Sequence, residues 1–182
     1  MTKNGYIPIV FLMPTIALLS YWYVKITGAT KPEPQPSLLA VFIFFFVFLI
    51  GALGEEIGWS GYVTDPLQNR YGAVSASIIV GIVWAVWHII PYSQMHHAQT
   101  WIIWQCISTV FLRVFLVWLF NNTGKSIFAV VLFHIMSNIS PYLFPNNGPN
   151  YDPFIFAILL MVTVVIIIFL WGSKTLVRYR YA

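Results

Sequence analysis

The sequence LLAVFIFFFVFLIGALGEEIG occupies residues 38–58 and is almost wholly apolar until its last turn. A helix that crosses the hydrocarbon core of a bilayer needs about 20 such residues, because each adds about 1.5 Å. We therefore predict a membrane-spanning helix over Leu38–Gly58. Two adjacent carboxylates, Glu55 and Glu56, lie near its end. An ionisable side chain inside a bilayer is costly, so this pair is the first indication of a functional site.

The rest of the chain repeats the apolar pattern. Five further segments are long and apolar enough to cross a bilayer: Tyr6–Ile26, Ala73–Ile90, Thr100–Phe120, Ser126–Leu143 and Pro153–Gly172. Of the 182 residues, 59% are hydrophobic and 8% are charged, against about 25% charged residues in a soluble domain. This composition excludes a soluble globular domain and a disordered chain. We predict one all-α integral membrane domain over residues 1–182, a polytopic bundle of about six transmembrane helices.

The charged residues indicate the orientation of the bundle. The proline-rich segments Lys31–Pro36 and Pro145–Asn150 interrupt the helices, because proline lacks an N–H. The positive-inside rule favours cytoplasmic N- and C-termini, N-in and C-in, since most basic residues then lie inside. Those predicted inside are Lys3, Arg70, Lys125, Lys174, Arg178 and Arg180, with Lys25 and Lys31 outside. The cations are spread along the chain, so no nucleic-acid partner is predicted.

Ionisable side chains recur inside the predicted spans. His88 and His134 each lie in an apolar segment, and Arg113 lies well inside the fourth. A single such histidine usually bridges helices through a hydrogen bond, but several ionisable groups in one small chain indicate function. Arg113 either extends its charge to the membrane surface or pairs with Glu56, and the sequence leaves both open.

Four glycines around the acidic pair share one helix face: Gly51, Gly54, Gly58 and Gly61. Such a face lets a neighbouring backbone approach closely. Glu55 borders it, so we expect Glu55 at a close helix contact. Glu56 points further round, towards Ser60, and is expected to orient or support the site. His88 lies deep in its own span, so we also predict that this helix continues past Trp59 to about Asp65, ending before Pro66.

Two further pairs are spaced by one helical turn. Trp84 precedes His88, and His134 precedes Asn138, so the members of each pair share a face. One carboxylate, two imidazoles and an amide from three helices can form a water-activating site. The tryptophans are assigned mainly to packing or to the membrane interface.

Three segments together resemble the CPBP (CAAX protease and bacteriocin-processing, or ABI) intramembrane proteases, also called type II CAAX prenyl endopeptidases. GEEIGWSGY at residues 54–62 resembles their double-glutamate motif, WAVWH at 84–88 their second motif, and HIMSN at 134–138 their third. Order and spacing agree over a predicted catalytic core at about residues 42–141. By resemblance, the chain is a glutamate- or metallo-endopeptidase that hydrolyses a peptide bond in a prenylated CAAX-type or membrane-associated peptide or protein.

The resemblance also implies roles for the site residues. Glu55 and His88 would activate water, His134 and Asn138 would stabilise the oxyanion, and Glu56 would support them.

The second motif of the family usually begins with phenylalanine, where this chain has Trp84. The first usually carries arginine where this chain has Ser60, so any ion pair that orients the glutamates must come from elsewhere, with Arg113 as the candidate.

Some alternatives stay open at this point. Metal-free chemistry is favoured, but Glu55, His88 and His134 are the donors of a zinc site if a divalent metal takes part. A catalytically silent immunity or interaction protein that binds a bacteriocin or peptide precursor is the main alternative function, and a small transporter is the weaker one. We expect an integral protein of a bacterial plasma membrane, in contact with lipid and with a membrane-associated substrate.

Overall fold

The computed structural model describes residues 6–28, 35–144 and 150–177, and all regular elements in these ranges are helical. They are α1 (Tyr6–Ile26), α2 (Leu38–Gly58), a π-helical turn (Trp59–Val63), α3 (Thr64–Tyr71), α4 (Ala73–Gln94), α5 (Gln99–Asn122), α6 (Ile127–Ile139), a 3-10 turn (Ser140–Leu143) and α7 (Pro153–Trp171). Five helices are long and apolar enough to span a bilayer, and Ile127–Leu143 is a shorter apolar helix. The predicted all-α membrane bundle is confirmed.

The helix that carries the two glutamates is longer than its apolar run. α2, the π-helical turn and α3 form one helical rod over Leu38–Tyr71. The predicted continuation past Trp59 is therefore confirmed, whereas the predicted end before Pro66 is wrong. Pro66 follows closely after the π-helical turn, and the rod continues through it instead of ending there. The rod ends at Gly72, whose φ of +84° favours glycine.

Two other boundaries differ from the predicted ones. α4 extends beyond Ile90 to Gln94 because hydrogen bonding resumes after Pro91, where Met95 N–H donates to the Pro91 carbonyl at 3.0 Å. α6 ends at Ile139, and a 3-10 turn with a proline near its start completes the predicted segment. Most of the two proline-rich breaks, residues 31–34 and 145–149, lies outside the described residues.

α5 is the most buried of the five spanning helices. It packs against α4 and α7, while α6 packs against α1 and α2. Their shared core is apolar and aromatic, with fully buried Phe115 and Phe133 at the contact of α5 with α6. α2 lies at the periphery and presents its outer face to the surroundings, as a lipid-facing helix does.

Three basic residues gather at one end of the bundle. Asp65 pairs with Lys125, the backbone N–H of Ala73 donates to the Lys174 carbonyl at 2.9 Å, and Arg70 lies in the last turn of α3. This arrangement agrees with the topology drawn from the positive-inside rule, which stays a prediction. Four of the cations used for it lie outside the described residues: Lys3, Lys31, Arg178 and Arg180.

The close backbone contact expected at the glycine face is not formed at three of its four glycines, and at Gly61 an added Cβ would lie 3.2 Å from the side-chain Cδ1 of Ile127 on α6. A Cβ atom at Gly51, Gly54 or Gly58 would meet nothing within 4 Å. α2 instead packs on α6 through an apolar face that includes Ala52 and neighbouring aromatic side chains. The close approach occurs at Gly81 of α4, where a Cβ would lie 3.0 Å from the Cα of Val110. The glycine pattern correctly predicts that these glycines share one helix face, but it does not predict what lies against that face.

This difference predicts opposite effects of one substitution at two helical glycines. Gly81→Ala should destabilise the protein by about 1–3 kcal/mol, because its methyl group overpacks the contact of α4 with α5. Gly54→Ala should leave stability unchanged or raise it by up to about 1 kcal/mol, since alanine favours helix and the space is open. Thermal unfolding in detergent measures both. Equal loss of stability in the two variants would contradict the packing described here.

Candidate active site

The two glutamates of α2 lie in different surroundings. Glu56 is fully buried, whereas Glu55 is partly exposed beside an open groove. Both precede the π-helical turn, and the N–H of Trp59 points to the carbonyls of both residues. Isolated π-helical turns often occur at functional sites. The helical wheel thus separates the two carboxylates correctly.

Glu56 is held by a buried polar cluster. Arg113 of α5 binds it with two parallel hydrogen bonds, Nη1 to Oε2 at 2.9 Å and Nη2 to Oε1 at 3.0 Å. The hydroxyl of Ser60, one turn along the rod, donates to Oε2 at 2.5 Å. Both side chains of the ion pair are 0% exposed. A bidentate pair of this kind neutralises a charge that the bilayer interior does not tolerate alone.

His134 completes the same cluster from α6. Its Nδ1 lies 3.0 Å from Glu56 Oε1, and the ring is nearly fully buried. An ionised carboxylate only accepts hydrogen bonds, so we assign the donated proton to Nδ1. The Nε2 atom is then the one that is available to the site.

Trp84 of α4 lies at the centre of the site. Its indole N–H donates to Glu55 Oε2 at 2.5 Å. Its ring packs edge-on against His88 at 5.5 Å and His134 at 5.2 Å between centroids, and the Arg113 guanidinium carbon lies 4.5 Å from its ring centroid. The sequence alone predicts mainly a packing role for this buried tryptophan. Its spacing of one turn from His88 was the signal that could have identified it.

His88 lies one helical turn after Trp84 on α4, and the two rings are in contact. Its Nδ1 is 2.9 Å from the carbonyl of Trp84. A carbonyl accepts only, so this contact also assigns the proton to Nδ1 and leaves Nε2 unprotonated when the ring is neutral. The ring is partly exposed and contacts Trp87 and Tyr92. Glu55 and His88 are therefore joined through Trp84 and share no hydrogen bond.

Asn138 and Glu55 line two different cavities. Asn138 lines a cavity of about 370 Å³ bordered by α5, α6 and α7, together with polar side chains such as Gln105 and Ser108. Glu55 instead lines a groove of about 770 Å³ between α2 and α4. His97 lines the same cavity as Asn138, and its ring stacks on Trp101 with 3.7 Å between the ring centroids.

The groove explains the glycines of α2. Its walls are apolar, and within the described part of the chain Glu55 is the only acidic or basic residue that lines it. Three glycines form part of the wall, so the absence of their side chains widens the groove instead of bringing two helices together. The groove residues are Ile50, Gly51, Gly54, Glu55, Gly58, Trp59, Tyr62, Val63, Val83 and Trp87.

The expected zinc donors do not converge. Among the described residues, no three His, Cys, Asp or Glu side chains are grouped so that they could hold a metal ion. The Trp84 indole contacts Glu55, His88 and His134, and Nδ1 of His134 is occupied by Glu56. This arrangement does not fit the proposed three-ligand site.

The fold and the site define a membrane-embedded helical protein in which two glutamates, two histidines and an arginine surround a buried tryptophan. Residues 37–140 match the family model described as "Rce1-like: Type II CAAX prenyl endopeptidase Rce1-like". The chain is also 32% identical over 153 residues to a protein named CAAX prenyl protease 2 from Methanococcus maripaludis. That match covers 75% of this chain and 56% of the relative, so the chain spans just over half of the relative's length. The chain belongs to the Rce1-like type II CAAX prenyl endopeptidase family, which confirms the resemblance seen in its three motifs.

The buried ion pair predicts a large effect on stability. Arg113→Ala should destabilise the protein by about 3–5 kcal/mol, because it leaves the Glu56 charge buried without its main partner. Lys125→Ala is the control, since it removes an exposed ion pair with Asp65 and should cost at most about 1 kcal/mol. Thermal unfolding in one detergent compares the two. Similar melting temperatures for the two variants would argue against a neutralising role for Arg113.

Proposed function

We propose that this chain is an intramembrane endopeptidase that hydrolyses a peptide bond in a prenylated CAAX-type or other membrane-associated substrate. Membership of a CAAX prenyl endopeptidase family supports peptide hydrolysis within the membrane. The observation that carries the mechanism is the environment of Glu55. Its carboxylate has no ion-pair partner among the described residues, it lines an apolar groove, and Trp84 links it to His88, whose Nδ1 contacts the Trp84 carbonyl.

Glu55 is the proposed general base. One carboxylate oxygen accepts the Trp84 N–H, which leaves the other to take a proton from water. His88 is its proposed partner, because Nε2 can hold the same water while Nδ1 is anchored to the Trp84 carbonyl. The water oxygen attacks the scissile carbonyl carbon as its proton moves to Glu55. Glu55 then returns this proton to the leaving nitrogen as the carbon–nitrogen bond breaks.

His134 and Asn138 are the proposed oxyanion stabilisers. Both project from the same face of α6, one turn apart. When it is protonated on both nitrogens, His134 donates from Nε2, and the Glu56 carboxylate at Nδ1 is the counter-charge for that form. The Asn138 amide is a second donor. Glu56, held by Arg113, is then a positioning residue for His134.

The apolar groove supports the proposed substrate class. A membrane-embedded or lipid-modified peptide brings an apolar chain that must leave the bilayer beside the reacting bond. The groove offers such a chain an apolar surface that leads to Glu55. The relative from Methanococcus maripaludis is named as a prenyl protease, which agrees with an occupant of this chemistry.

The two glutamates should respond differently to the same substitution. Glu55→Gln removes the proposed base and should lower kcat by about 10²–10⁴-fold. Glu56→Gln should lower kcat less, because it weakens the orientation of His134 and leaves the base intact, and Arg113→Ala should resemble it. Cleavage of a quenched prenylated peptide per folded protein measures all three. If Glu56→Gln is inactive and Glu55→Gln works normally, the two roles must be exchanged.

The same assay tests whether a metal is involved. No step above uses one, so a strong chelator should leave cleavage by the unsubstituted protein largely unchanged. Loss of cleavage that zinc restores and magnesium does not would contradict this mechanism.

A substitution in the groove separates substrate binding from chemistry. Gly51→Leu places a side chain into open groove space one turn away from Glu55. The KM for a prenylated peptide should rise by about 10-fold or more while kcat changes little, because the leucine side chain occupies the groove space that the apolar chain of the substrate needs. Phe169→Leu on the exposed face of α7 is the control and should leave both constants unchanged. An unchanged KM in Gly51→Leu would show that the substrate binds elsewhere.

A further inference from the structure

We propose that the indole N–H of Trp84 is a positioning group that fixes the Glu55 carboxylate for proton transfer. The proposal rests on the proposed function of Glu55 as the base. It assigns the indole nitrogen a role that the sequence analysis did not give it. A phenylalanine ring has a similar shape but no such donor.

The surroundings of Glu55 leave it dependent on this one donor. Its side chain borders an open groove, and the neighbouring glycines present no side chain against which it could pack. Among the described residues, Trp84 provides the hydrogen bond to its carboxylate, and no Lys, Arg or His lies within ion-pair distance. A flexible glutamate on such a surface samples several rotamers unless a partner selects one.

Trp84 is itself immobilised. Its side chain is only 3% exposed, and its ring contacts two histidines from different helices. The main chain of the same residue anchors His88 through the carbonyl. One residue therefore sets the position of Glu55 through its side chain and that of His88 through its backbone. A rigid donor of this kind is what a preorganised catalytic site requires.

The Arg113 guanidinium strengthens this donor. Its central carbon lies 4.5 Å from the Trp84 ring centroid, while its nitrogens bind Glu56. A cation over an indole face draws electron density towards itself, which makes the N–H more positive and a better donor to a carboxylate. The two glutamates are thus linked through Arg113 and Trp84, although their side chains face different surroundings.

Two other roles for the indole give different results on substitution. If Trp84 only fills space, Trp84→Phe retains most of the ring and should retain activity. If the indole blocks the approach to Glu55, the smaller ring should raise activity. The positioning role alone predicts a fall in kcat without a matching rise in KM, since Trp84 does not line the groove.

The test compares two tryptophan-to-phenylalanine variants. Trp84→Phe should lower kcat by about 10-fold or more, as expected for loss of a hydrogen bond to a charged group, with KM within about twofold of the unsubstituted protein. Trp118→Phe is the matched control. Trp118 is also buried, its N–H has no partner among the described residues, and it packs against Trp171 away from the site. Unchanged or increased kcat in Trp84→Phe would overturn the proposal.

A spectroscopic measurement tests the same bond without activity. The indole N–H mode in the ultraviolet resonance Raman difference between the unsubstituted protein and Trp84→Phe reports the strength of the hydrogen bond. Glu55→Gln should shift this mode towards a weaker bond, and Glu55→Ala should shift it further. If Trp84→Phe fails to fold, the unsubstituted-minus-Glu55→Ala spectrum still carries the test. Absence of any shift would overturn the proposal, whereas a shift in a chain that cleaves no peptide would refute only the proposed function.

Discussion

The ion pair between Glu56 and Arg113 is the interaction on which the site depends. Each side chain is fully buried in a bundle that has few other charges, so neither is tolerable there without the other. The pair joins the peripheral α2 to the central α5, and His134 extends the link to α6. The groups that neutralise the Glu56 carboxylate therefore hold α2, α5 and α6 together at the site.

This neutralisation also gives the two adjacent glutamates different surroundings. Glu56 is bound by an arginine, a histidine and a serine, so both of its carboxylate oxygens already have hydrogen-bond partners. Glu55 lines the apolar groove, and among the described residues its carboxylate accepts one hydrogen bond, from Trp84. Glu55 and Glu56 therefore have different hydrogen-bond partners, because consecutive side chains on a helix point about 100° apart.

Much of this arrangement is predictable from local patterns. Apolar segments of spanning length predict the helices, and the helical wheel predicts that the side chains of Glu55 and Glu56 point in different directions. The neighbour of a helix face depends on tertiary packing, and so the close contact lies at Gly81 while the glycines of α2 line a groove. The contact between Trp84 and Glu55 depends on tertiary packing in the same way. The periodicity of Trp84 places it one turn from His88, but only the packed bundle brings it against Glu55 from another helix.

Ser60 stands at the position where the motif that this chain resembles usually carries arginine. Position 60 lies one turn after Glu56, and its hydroxyl still donates to that carboxylate. The positive charge comes from α5 instead, through Arg113. An arginine on α2 would balance Glu56 within one helix, whereas Arg113 makes the charge balance depend on how α5 packs. Gly81 supports that packing, because a Cβ there would lie 3.2 Å from the Arg113 Cβ. The serine therefore gives no reason to infer a silent site, since the charge that it lacks is supplied across the helix contact.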